Sequence, residues 1–269
     1  MNLNKSQPAE LNCQNCNQDI VDNFCAKCGQ KKYKRIDKKY VLDELQYTLV
    51  HTNKGFMYSV KSILRNPGKT AREFIYGNRV NHYKPIGLVF ILAGISTFIS
   101  FKIIGLDQMM KGAQMPGQNT QVMTEMMGFL QNYNSILMLI FIPILALLSK
   151  LSFGDWRNNY YEHTVMNAFG MAYYTIVTIL FVYPIMYLFR NNPEISLKMS
   201  MYLMLTIPVM MVYFYKHFYH EKKLKTIIIR VLAKTALFAI VYIGVIIVCV
   251  IGMMIKYGPE SFKTMAQPQ

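Results

Sequence analysis

Four cysteines sit in two close pairs, Cys13-Gln14-Asn15-Cys16 and Cys25-Ala26-Lys27-Cys28-Gly29, with eight residues between the pairs. Each CxxC turn can present two sulfurs to one ion, and two such turns supply the four thiolates of a closed tetrahedral zinc site. With all four ligands from protein no position is left open for a substrate, so the chemistry expected of Cys13, Cys16, Cys25 and Cys28 is structural. A redox dithiol or an iron–sulfur cluster is the lesser alternative. The residue after each second cysteine often needs a left-handed backbone, which Gly29 adopts at no steric cost and Asn17 tolerates next best. Metal binding would supply on the order of 10 kcal/mol toward folding a segment too small for a core of its own. The fifth cysteine, Cys249, lies in an apolar run and reads as a small hydrophobe.

Other chemistry-bearing residues are weaker signals. Tyr160-Tyr161-Glu162-His163, preceded by Asp155-Trp156-Arg157, opens an apolar run. A Glu-His pair there could gate protons or bind an ion; the favoured reading is interfacial aromatics and a charge at a helix start. Pro143, Pro184 and Pro208 interrupt three apolar runs, as broken transporter helices do, yet proline is common in membrane helices generally. No acidic residue lies near the centre of any run. Lys102, Lys198 and Lys234 are expected to snorkel from run ends. The 20 methionines form no Met-x-x-Met array with histidine, so they read as apolar filler. No HExxH, GxSxG or Walker signature occurs.

The elements that must carry these residues are mostly membrane helices. Hydrophobic residues make up 53% of the 269 and charged ones 16%, and the apolar residues cluster. Five runs approach or reach the length that crosses about 30 Å of hydrocarbon. They are Pro85 to about Gly105, Ser135 to Leu151, Thr164 to Phe189, Leu197 to Tyr215 and Val231 to Ile255. The second and fourth are the weakest, so the expectation is an all-α integral membrane protein of about five spans, with four as the fallback. The hydrophilic first 84 residues lack the apolar core of a secretory leader, so the N-terminus is expected to stay where it is made. Of the 29 Lys and Arg, 15 precede Pro85. With five spans, the second and fourth connections add 8 on the same side, leaving 6 on the other. That asymmetry predicts a cytoplasmic N-terminus and an external segment from Leu106 to Asn134 with one short helix over Thr120–Leu130. Topology and anionic headgroups account for the net charge of +15 without nucleic acid.

The expected organisation is a metal ribbon over 1–30, a basic linker over 31–39, cytoplasmic amphipathic helices over 40–84, the membrane domain over 85–255 and a polar tail over 256–269. The linker, Lys31 to Lys39, reads as a solvated spacer or a lipid-facing strip. With few contacts to the bundle, its loss together with the ribbon should leave a chain beginning near Lys38 folded. Val41, Leu45 and Leu49 suggest one amphipathic helix; Phe56, Val60, Ile63 and Leu64 suggest a second. Asn66-Pro67-Gly68 should break the second, Thr70-Ala71-Arg72-Glu73 has capping-box spacing for a third, and Gly77 should stop it.

These motifs together resemble a group of uncharacterised bacterial multi-pass membrane proteins, a domain of unknown function. The residues are the CxxC-x8-FCxxCGQ opening, Lys54-Gly55, Ser62-Ile63-Leu64, Asn66-Pro67-Gly68, Gly77-Asn78-Arg79, Tyr83, Pro85 and Tyr161-Glu162-His163, covering the chain to about residue 175. The resemblance implies a zinc ribbon, several membrane helices and a bacterial inner membrane, and transfers no activity. The expected function is a membrane-anchored adaptor or assembly factor whose ribbon meets a cytoplasmic protein partner. The alternatives are a transporter or permease-like component and a membrane-embedded enzyme of lipid metabolism.

Overall fold

The computed structural model describes residues 12–32, 35–38, 40–42, 55–112 and 120–257. Among them the chain is helical, with no strand beyond two isolated antiparallel bridges. Leu45, Leu49 and residues 258–269 of the polar tail lie outside the described residues, while 256 and 257 close the last helix.

Helix α1 (Phe56–Arg65) ends at Asn66, whose extended backbone also starts α2 (Pro67–Ile75). The Asn66 side chain caps α2 by accepting from the Lys69 N–H at 3.0 Å, and Pro67 occupies the first turn, where no N–H is needed. The helix thus begins three residues before the expected Thr70 start. Thr70 instead sits inside α2, its hydroxyl bonded to the Asn66 carbonyl and to Ser62. Gly77, at φ 134°, turns the chain after α2 as expected.

Helix α3 (Pro85–Phe98) continues as a π-helical segment, Ile99–Ile104, and stops at left-handed Gly105. After α4 (Leu106–Gly112) comes α5, one helix of 34 residues from Thr120 to Phe153. The short outer helix and the second span are therefore a single rod of about 50 Å. Helix α6 (Tyr160–Val177) passes through a π segment, Thr178–Val182, into α7 (Tyr183–Leu188). Then follow α8 (Pro193–Met204), α9 (Ile207–Phe218) and α10 (Leu224–Tyr257).

Among the described residues, four helices are long and apolar enough to cross a membrane: Pro85–Ile104, Met127–Phe153, Tyr160–Leu188 and Leu224–Val245. The expected fourth span, Leu197 to Tyr215, is split. Pro208 has no N–H to continue the ladder and its ring clashes with the carbonyl four residues back, so α8 ends at Met204 and α9 restarts beyond it. The halves lie at opposite ends of the bundle: α8 packs against α4 and α7, α9 against α2, α6 and α10. Between α7 and α9 the chain thus returns toward α2 in two short pieces, neither of them a span by length, which leaves the fallback of four. The other two prolines act differently. Pro143 stays within unbroken α5, and Pro184 follows the π segment of α6.

Helices α3, α5 and α6 pack on one another to form the centre, with α2 and α9 closing one end and α10 lying on α5 and α9. The core runs from Ile36, Ile63 and Phe74 through Leu88, Phe153 and Phe169 to Phe214 and Ile227. Gly68 lets α2 meet α9 closely: a Cβ there would strike the Phe214 carbonyl and lie 2.7 Å from the Phe218 nitrogen. Lys102 and Lys198 are exposed toward the end opposite α2, as expected of snorkelling side chains. Lys234 is not: it is 3% exposed inside the bundle.

Candidate metal centre and its seat

The two CxxC turns fold alike. In the first, the Cys13 N–H donates to the Gln18 carbonyl (2.7 Å) and the Asn17 N–H to the Cys13 carbonyl (2.8 Å). In the second, the Cys25 N–H donates to the Gln30 carbonyl (2.8 Å) and the Gly29 N–H to the Cys25 carbonyl (2.9 Å). A bridge closes each knuckle, Asn12 with Asp19 and Phe24 with Lys31. Asn17 and Gly29 both have left-handed backbones, φ 61° and 71°, as their positions demand.

The knuckles bring together all four cysteines predicted as ligands. Their sulfurs lie within 4.8 Å of one another, with Cys13 to Cys28 and Cys16 to Cys25 each 3.5 Å apart. A tetrahedral ion with metal–sulfur bonds of about 2.3 Å needs sulfurs about 3.8 Å apart, so the set fits one ion. All four are free thiols. Burial opposes ionisation of Cys28, yet hydrogen bonds from Asn15 and the Gln30 backbone bring its thiol down to about 6. The Gln18 backbone favours the Cys16 thiolate, yet burial and the three neighbouring sulfurs push it up to about 12. A divalent cation held among the four sulfurs would favour the thiolate form. Around the sulfurs only Ile20 adds a buried apolar side chain, and Val21 and Phe24 face outward, 90% and 58% exposed.

The module is seated on the bundle. Gln30 is buried, and its side-chain carbonyl accepts from the Arg79 and Val80 N–H groups (3.2 and 2.9 Å) in the turn after α2. Asn81 reaches Asn15 (3.3 Å). Beside this turn, His82 is enclosed by Tyr58, Phe74 and Phe169, and burial pushes its imidazole down to about 4. The Arg79 guanidinium binds the last carbonyls of α2, those of Phe74 and Ile75.

The linker is no free spacer. Ile36 is fully buried in the main core. Arg35 forms a salt bridge to Glu162 (2.7 Å) and also donates to the Arg157 carbonyl (2.9 Å). Asn159 donates to the Ile36 carbonyl (3.0 Å). Glu162 itself completes a capping box with Asn159 at the start of α6. Of the reading of Tyr160-Tyr161-Glu162-His163, the charge at a helix start holds for Glu162, whose buried carboxylate also holds the linker.

His163 belongs to a second buried web that sequence reasoning missed. Its Nδ1 lies 3.0 Å from Ser149 Oγ; Asn167 donates to Ser149 (2.7 Å); and Lys234 donates to Asn167 Oδ1 and to the Tyr215 hydroxyl (2.7 Å each). These residues tie α5, α6, α9 and α10 together. Among the described residues no carboxylate pairs with Lys234. A polar residue inside each of three apolar runs (Ser149, Asn167 and Lys234) was the available signal.

Comparison with known families finds one match: residues 53–97 match the family described as protein of unknown function DUF3667. The matched stretch covers α1, α2, the Gly77–Tyr83 turn that seats the metal module, and the first thirteen residues of α3. Searches of curated proteins and of solved structures give no match. The chain is therefore similar, over this stretch, to a family whose function is undefined.

Proposed function

We propose that the chain is an adaptor or assembly factor of the bacterial inner membrane, holding one structural zinc ion in its N-terminal module and presenting that module to a cytoplasmic protein partner. The observation that carries the reading is the outward placement of Val21 and Phe24 on a loop held between the two cysteine knuckles. A module this small keeps apolar side chains exposed at a cost, and a loop fixed by metal offers them with little ordering entropy left to lose on binding. Thiolate softness and tetrahedral spacing support zinc as the ion. Charge asymmetry supports the side: the ribbon, the 154–159 turn and the 219–223 turn share one end, and 23 of the 29 Lys and Arg lie before Pro85 or in the two connections containing those turns.

Two experiments test this. Elemental analysis of the purified protein should find one zinc per chain, lost in Cys25→Ser; equal zinc in both would remove the ribbon reading. A photocrosslinking residue at Phe24, in living cells, should give one discrete protein adduct that disappears in Cys25→Ser. Crosslinks to lipid alone would assign the loop to the headgroup layer and end the adaptor reading.

A further inference from the structure

At the end of the bundle away from the metal module, α3, α5, α6 and α7 enclose a cavity of about 360 Å³. Both π-helical segments border it: Ser100 and Phe101 lie in one, and Thr178 begins the other. Such segments inside α-helices are rare and cluster at functional sites. Its walls are apolar toward Leu130 and Met138 and polar toward α3 and α7, where the Ser96 and Tyr183 hydroxyls bond each other at 2.7 Å. Among the described residues no charged one lines it. Thr178 stands out. Thr97, Thr164, Thr175 and Thr235 each donate to the carbonyl four residues back, whereas the buried Thr178 hydroxyl makes no hydrogen bond.

We propose that this cavity binds a single-chain neutral lipid, with its hydroxyl head on Thr178 and its chain along Leu130 and Met138. The uncharged lining excludes phosphate or ammonium heads, which would be desolvated without a counter-charge. The volume lies near the lower end of the range for small-ligand sites, enough for one chain and not for a whole phospholipid. A buried hydroxyl left unpaired in hydrocarbon is costly, and a ligand hydroxyl satisfies it. The proposal is independent of what the ribbon binds.

The test uses the full chain in lipid nanodiscs and a long-chain alcohol carrying a diazirine in its chain, with adducts mapped by mass spectrometry. Adducts should concentrate on residues 127–138 and fall about fivefold in Thr178→Val, the scale of one intramembrane hydrogen bond. They should vanish in Met138→Trp, which fills the space. Melting temperatures separate loss of the site from loss of the fold, and Thr178→Val should melt as the wild type does. Equal labelling by the same chain without its hydroxyl, or by its phosphate monoester, would overturn the proposal. So would adducts confined to the exposed Leu180 and Phe181 and unaffected by either variant, the mark of bulk lipid.

Discussion

At the scale of residues, the site divides into what neighbours in sequence decide and what they do not. The clustering of the four cysteines, left-handed Asn17 and Gly29, and the helix break at Asn66-Pro67 were legible because each rests on contacts within a few positions, whereas the next helix starts at that break and not at Thr70. The Arg35–Glu162 salt bridge was not, since 127 residues separate its partners. Breaking it should matter: Arg35→Ala leaves a nearly buried carboxylate without its ion-pair partner. A loss of about 1–2 kcal/mol is expected, below that of a wholly buried pair because Arg35 is half exposed, and thermal melting checks it. His82 gives a pH signature. Its folded value of about 4 lies below the ordinary 6.5, so between those values the unfolded chain binds more protons. Its contribution is complete above pH 6.5 and lost as pH falls toward 4, at most about 3 kcal/mol. Wild type should lose more melting temperature between pH 7.5 and 5 than His82→Phe does; identical slopes would remove His82 as the cause.

At the scale of elements, composition located the apolar runs but not which side of a helix meets another helix. Lipid and protein interior are both apolar, so hydrophobic periodicity carries little contrast there. That is why Lys234 read as a snorkelling lysine. It instead fastens α10, of whose spanning window only 17% is buried, against 44% for α3. Lys234→Met should leave Asn167 and Tyr215 each short of a partner and cost about 1–2 kcal/mol, with α10 the first element to become protease-accessible. The split of the expected fourth span was foreshadowed by Pro208, yet only the packing of α8 and α9 at opposite ends shows that the chain still returns toward α2.

At the scale of the whole molecule, the linker decides how the metal module and bundle depend on each other. Arg35 and Ile36 dock on the α6 end, so a chain beginning at Lys38 should melt well below the full protein, whereas one beginning at Lys34 should stay close to it. The reverse order would return the linker to a passive tether. If α8 and α9 together make a fifth crossing, tags at the two termini should be accessible from opposite faces of a sealed vesicle; access from the same face would limit the crossings to the four long helices. The long separation between Arg35 and Glu162 also sets an order of events during synthesis. At about 5–20 residues per second, the ribosome needs roughly ten seconds to travel from one to the other. Through that interval the cysteine module and its seat in the Gly77–Tyr83 turn are already made, while the α6 partner of the linker does not yet exist. An ion offered in that interval would meet the four sulfurs before the linker docks on α6, and a chain made without one would close its bundle around a module not yet formed.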